Sequence, residues 1–408
     1  MHNKLPEYWF ELIMNPAVQQ ASTYPTELTQ LFNTSSHNKA REIISSWPDY
    51  APTPLRDLKG LAGLLGVSSI HYKDESERFG LGSFKPLGGA YAVARLLMRT
   101  IEAVSGSSDV QTRDIFNGRY ASIVSDITVT SATDGNHGRS VAWGARRAGC
   151  KSVIYIHETV STQREQAIAR LGAEVRRVKG TYDDAVRAAK QTAREQGWHV
   201  IQDTTEGEDL ETTLDIMQGY TLLASESIEQ LPYRSAPTHV FVQAGVGGMA
   251  AAVLAHFWQR YGAERPRTIL VEPDTAACCF LSIAAGQPTV APGALDSIMA
   301  GLACGEVSSL AWQVLQPGAF AAIQVNDRDA ADCMRLLADN RYGDGSLVAG
   351  ESAVAGLAAL IATAQDAEAR RQLGLDEQSR VLLFGTEGAT DPDAYEQIVG
   401  RKAEDVHA

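Results

Sequence analysis

A chain of 408 residues, 44 % apolar and 21 % charged, has the makeup of a soluble globular enzyme, long enough for two or three domains or one core with an inserted subdomain. Its net charge of −13, from 36 basic and 49 acidic residues, argues against nucleic acid or an anionic membrane as partner, because phosphate binding needs a concentrated basic face. Five cysteines at scattered positions make neither a disulfide framework nor a CxxC or Cys/His metal spacing, so buried thiols and no metal are expected.

The first twenty residues, MHNKLPEYWFELIMNPAVQQ, carry two prolines and two acids and lack the apolar core of a signal peptide, so a cytoplasmic protein is expected. Strands are predicted at 69–73, 126–132, 152–157, 174–178, 199–203, 238–243, 268–272 and 380–384, with helical patterns such as RSVAWGARRAG, TQREQAIARLG and YDDAVRAAKQTAREQG among them. This alternation predicts βαβ units, hence an α/β fold with parallel sheets and helices on both faces. The compact alternation from about 125 to 203 reads as a small inserted sheet. The most apolar stretch, 239–258, is broken by Gln243 and three glycines, and reads as strand, turn and helix rather than a membrane span. In such sheets ligands bind beyond the carboxyl ends of strands.

The stretch RFGLGSFKPLGGAYAV sets Lys85 between Phe84 and Pro86, just before Gly88 and Gly89 and at the entrance to a helix. A lysine there is either solvated or partly desolvated and reactive, and this stretch alone leaves both open. Three loops after strands raise the same choice. TDGNHGRS, residues 133–140, opens a helix whose amides could take a carboxylate, with Asn136 suited to a phenolic oxygen; the same residues also describe a capped helix start. AGVGGMAAAVL, residues 244–254, is neither GxGxxG nor a P-loop; it makes a phosphate cup or a tight packing turn. GTEGATDPDAY, residues 385–395, offers the hydroxyls of Thr386 and Thr390.

Taken together, an amine nucleophile, a phosphate cup, an Asn and a Thr are the parts that hold pyridoxal phosphate. SFKPLGGAYA, TDGNHGR, QAGVGGMA and GTEGATD, in that order, resemble the β-family (fold type II) pyridoxal-phosphate enzymes, and among them the diaminopropionate ammonia-lyase family. The likeness runs from about residue 50 to 395 and includes KDESERFGL, IMQGY, VEPD, IMAGLACGE and GESAVAGL.

The resemblance implies a tryptophan synthase β-like fold, two open parallel-sheet domains with the cofactor between them. Residues 1–86 and 205–408 would form the large cofactor-binding domain and 87–204 the small one. It implies α,β-elimination from an amino-acid substrate, 2,3-diaminopropionate giving pyruvate and ammonia, by a homodimer. A dehydratase for serine, threonine or 3-hydroxyaspartate and a non-catalytic metabolite-binding relative are the alternatives. Lys85 would be the Schiff-base lysine, with Asp134 the base for the D-isomer and Asp203 for the L-isomer. Asn136 would meet the cofactor's O3′, Phe84 its ring, Thr386 its pyridine nitrogen, and the amides of Gly245, Val246, Gly247, Gly248 and Met249 its phosphate. Ser131, Thr133, Asp134 and Gly135 would hold the substrate carboxylate, and His137 would be a satisfied structural histidine. Cys278 and Cys304 flank the implied site, where free thiols are favoured over a pair.

The chain departs from that family after QDT, where an aromatic-bearing stretch is usual. Here 205–215 reads TEGEDLETTLD, with acids at Glu206, Glu208, Asp209, Glu211 and Asp215. That charge would suit a cationic β-ammonium group, or form a solvated loop. Gly385 also stands where the family often has Ser.

Overall fold

The computed structural model describes residues 5–133, 135–203, 210–232 and 236–406. Eleven strands lie in these segments: β1 Glu11–Met14, β2 Leu55–Asp57, β3 Ser69–Asp74, β4 Thr128–Ala132, β5 Lys151–His157, β6 Glu174–Val178, β7 His199–Val200, β8 His239–Gln243, β9 Arg267–Pro273, β10 Ala321–Val325 and β11 Arg380–Gly385. The chain divides into two compact units, one of residues 1–33, 52–77 and 223–408, the other of 34–51 and 78–222.

The larger unit holds a seven-stranded sheet in the order β1-β10-β9-β8-β11-β3-β2. The five inner strands run parallel; β1 and β2 are antiparallel edges. HVFVQ in β8 is buried at every position, and β9 and β11 at all but the first, as strands covered on both faces must be. Around them packs a core that includes Phe241, Ile269, Val271, Ile323, Leu357 and Leu383.

The smaller unit holds the sheet β6-β5-β4-β7, wholly parallel. Helix Gly89–Ser105 buries Ala90, Val93, Ala94, Leu97 and Ile101, and ends at Gly106 in the left-handed conformation. It crosses helix Asn136–Ala148 where Gly144 faces Ala90, so closely that a Cβ on Gly144 would stand 2.9 Å from the Ala90 Cα.

The division falls at 77/78 and 222/223, where the sequence reading puts it at 86/87 and 204/205. Residues 34–51 join the smaller unit because their helix, Thr34–Ser45, packs on helix Gly89–Ser105. The second boundary lies inside helix Leu210–Gln230. Lys85 accordingly belongs to the smaller unit.

Helix Leu210–Gln230 meets the Lys85 turn at Gly219, where a Cβ would run into the Leu87 carbonyl oxygen. Gly219→Ala is therefore expected to cost about 1–3 kcal/mol, seen as a lowered thermal midpoint, because the obstacle is backbone and cannot rotate away.

Candidate active site

In the smaller unit, Lys85 opens a 3₁₀ turn, Lys85–Leu87, that runs through Gly88 into helix Gly89–Ser105. Both glycines are demanded by neighbours. A Cβ on Gly88 would touch the Tyr220 ring at 2.5 Å, and one on Gly89 would strike the Ser140 hydroxyl. Ser140 clamps the turn, its hydroxyl donating to the Lys85 carbonyl at 2.9 Å and accepting the Ala90 N–H at 3.0 Å. The Phe84 ring packs on Tyr220, centroids 4.8 Å apart, with Lys85 Nζ 5.4 Å from the Phe84 ring centre.

The lysine so held is partly exposed and donates from Nζ to Asp203 Oδ2 at 2.7 Å, in a pair 19 % and 16 % exposed. Gln202 fixes the approach of Asp203. Its side chain accepts from the Ala132 N–H and the Ser131 hydroxyl, both at 3.1 Å, and donates to the Ala132 carbonyl at 3.2 Å, tying the end of β7 to β4. Burial alone would raise the Asp203 carboxyl. The Lys85 ammonium, and His137 when its ring is charged, outweigh it and hold the group well below the usual carboxylate range.

The loop after β4 differs in detail from expectation. The Thr133 hydroxyl accepts the N–H groups of Gly135 (2.9 Å) and Gly138 (3.1 Å), and the Thr133 amide donates to the Tyr155 carbonyl at 3.0 Å. The amides of Thr133 and Gly135, expected to take a substrate carboxylate, are thus already committed within the chain, because the turn satisfies its own donors. The Ser131 hydroxyl is likewise engaged with Gln202. Asn136 begins the helix and is half-buried. Asp134 lies outside the described residues.

The larger unit carries the glycine turn. After β8, Gly247 takes φ +89° and caps helix Gly248–Tyr261 with no side-chain acceptor, leaving the first-turn amides without intrahelical partners. A Cβ on Gly245 would stand 3.0 Å from Cys304 Sγ and 3.2 Å from the Gly301 carbonyl; one on Gly247 would meet Leu315 at 2.7 Å. Gln243, at the end of β8, donates to the Ser352 and Phe384 carbonyls at 3.0 and 2.7 Å and to the buried Thr386 hydroxyl at 3.2 Å. It links the cup to the last loop.

Behind the cup, Glu272 accepts the N–H groups of Cys279 (2.9 Å) and Phe280 (2.6 Å), and the Cys278 thiol lies 3.4 Å from the Gly245 carbonyl. Glu272, Cys278 and Cys279 bring three ligand-type atoms within 4.8 Å of one another. All five cysteines are free thiols. Burial, opposed by the two amides, pushes Glu272 up to about 8. The fold therefore keeps a proton that the unfolded chain releases above about 4.5, and stability falls as pH rises from there to about 8, by up to about 5 kcal/mol. Thermal midpoints of the wild type and Glu272→Gln across pH 5–9 check this: the wild type should lose ground to the variant as pH rises.

Where it is described, the acidic stretch is helix rather than loop. Glu211 and Asp215 belong to helix Leu210–Gln230, and Asp215 is buried against Arg95 (3.2 Å) and Arg99 (2.6 Å), with Glu211 3.3 Å from Arg99. The Asp215 charge meets those two guanidinium groups, while Glu211 stays largely exposed. Residues 204–209, Glu206, Glu208 and Asp209 among them, lie outside the described segments.

A parallel α/β fold with a lysine-centred polar cluster and a glycine cup at an uncapped helix N-terminus defines the class. Residues 47–387 match the family described as "Pyridoxal-phosphate dependent enzyme", and the chain belongs to it. Its full-length kin are more particular. It is 40 % identical over 377 residues to diaminopropionate ammonia-lyase of Escherichia coli K12, spanning 91 % of this chain and 93 % of that one. The holo crystal structure of the E. coli enzyme superposes with a TM-score of 0.88 at 37 % identity, covering 99 % of each chain. The same enzyme in complex with D-serine also gives 0.88 at 37 %, covering 99 % of this chain and all of that one. Pyridoxal phosphate is the cofactor of the family. In the larger unit the cup, which any Cβ at Gly245 or Gly247 would crowd, and its helix N-terminal amides suit a phosphate; in the smaller unit the partly exposed amine of Lys85 suits the cofactor's carbonyl carbon.

Proposed function

We propose that the chain eliminates from 2,3-diaminopropionate, D, L or both, to give pyruvate and ammonia. The observation that carries this reading is Lys85 Nζ at 2.7 Å from Asp203 Oδ2, an amine and a carboxylate base held together in a chain related over 91 % of its length to an ammonia-lyase. Bound pyridoxal phosphate supplies the electron sink that weakens the substrate Cα–H bond. Lys85 would hold it covalently, the amides from Gly245 to Met249 its phosphate, Asn136 its phenolic oxygen, Thr386 its ring nitrogen, and Phe84 would support the ring. Asp203 would take the α-proton of the L-isomer and Asp134 that of the D-isomer. A β-ammonium group leaves without an acid, whereas a β-hydroxyl needs one. The enzyme acts as a homodimer in the cytoplasm on this reading; no described helix is long and apolar enough to cross a membrane.

The D-serine bound to the E. coli relative favours a β-hydroxy amino acid as the second substrate class. Pyruvate and total ammonia are to be measured on both isomers of diaminopropionate and of serine, and on 3-hydroxyaspartate. Two ammonia per pyruvate from diaminopropionate is the expected result. Turnover confined to hydroxy substrates would make the protein a dehydratase, and none at all would leave a metabolite-binding role.

A further inference from the structure

His137 is buried, 4 % exposed, in the first turn of helix Asn136–Ala148. Its Nε2 lies 2.9 Å from the Ile201 carbonyl oxygen. A carbonyl only accepts, so Nε2 carries the proton and Nδ1 keeps its lone pair. Nδ1 has no hydrogen-bond partner among the described residues, and Asp203 Oδ2 lies 3.7 Å from it. The expected satisfied histidine is therefore satisfied on one side only. Its other nitrogen, an acceptor, faces a carboxylate, also an acceptor, and this same oxygen takes the Lys85 ammonium.

The arrangement is unfavourable while Asp203 is ionised and becomes favourable once Asp203 holds a proton. We infer that His137 is a positioning residue for Asp203: its Nδ1 accepts the O–H of the protonated carboxyl, so that Asp203 has a partner in both states, Lys85 when charged and His137 when neutral. Burial of the imidazole favours its neutral form. Among the described residues, the titratable groups facing His137 are Asp203 and Lys85. The inference rests on reading Asp203 as the base for the L-isomer.

The test uses His137→Gln, whose amide can still donate to the Ile201 carbonyl, beside Asp203→Asn, both as holoenzyme on D- and L-2,3-diaminopropionate. Losing the acceptor weakens the base, so His137→Gln should lower turnover of the L-isomer about 10–100-fold. It should also move the acid limb of that pH profile to lower pH, and change D turnover by less than threefold. In the apoprotein, nitrogen-15 spectra should show His137 Nδ1 without a proton. Wild-type L kinetics in His137→Gln, an equal fall on both isomers, or a protonated Nδ1 would each overturn the inference. If Asp203→Asn itself spares the L-isomer, the assignment of Asp203 fails and takes this inference with it; if Asp203→Asn removes L turnover while His137→Gln does not, only the inference falls.

Discussion

Lys85→Ala should lower kcat/KM for diaminopropionate by on the order of 10⁴-fold and abolish the yellow colour of the holoenzyme, while the protein still folds. Folding survives because the turn is held by main chain and neighbours: Ser140 bonds the Lys85 carbonyl and the Ala90 N–H, and the Lys85 side chain takes no part in either. What is lost is the amine. Asp203 also loses the donor at 2.7 Å that sustains its charge, so its carboxyl should titrate higher in the variant. Steady-state kinetics, absorbance and the thermal midpoint read these effects separately. A variant that keeps even a tenth of wild-type turnover would remove Lys85 from the chemistry.

Asp203→Asn should discriminate between isomers. The amide keeps the shape, and its oxygen can still accept from Lys85, but it cannot take a proton. Loss of a general base costs about 10²–10⁴-fold, and here it should fall on the L-isomer, with D turnover preserved within a few-fold. Rates with each pure isomer decide the matter; an equal fall on both would reduce Asp203 to a counter-ion for Lys85.

Much of the fold was legible because central parallel strands advertise themselves as unbroken apolar runs. HVFVQ, TILVE and RVLLF stand within β8, β9 and β11 as read. The strand β10 was missed. AAIQV follows a helix that ends through Pro317 and Gly318, and two alanines give it no β-branched start. The edge β1, four residues of ELIM, carries too short a pattern, and its place is fixed by pairing with β10 more than 300 residues away. Within the site, Lys85 and the glycine cup were visible as local motifs. The Ser140 clamp, the Tyr220 contact that requires Gly88, and the Glu272 carboxylate behind the cup were not, since each joins segments distant in sequence. The acidic run misled because sequence displays charge but not partner: Asp215 answers to Arg95 and Arg99. For the same reason sequence does not show that the second nitrogen of His137 has no hydrogen-bond partner among the described residues.

Two lysines among the described residues sit in polar clusters, and only one suits the chemistry. Lys73 is wholly buried, its three donors taken by the Thr53 carbonyl, Glu226 and Gln230, whereas the Lys85 side chain is partly accessible. Reduction of the yellow holoenzyme with borohydride, followed by peptide mass mapping, therefore tests the central claim. The pyridoxyl mass should appear on the peptide containing Lys85 and on no other. Its appearance at Lys73, or on no lysine at all, would contradict the account.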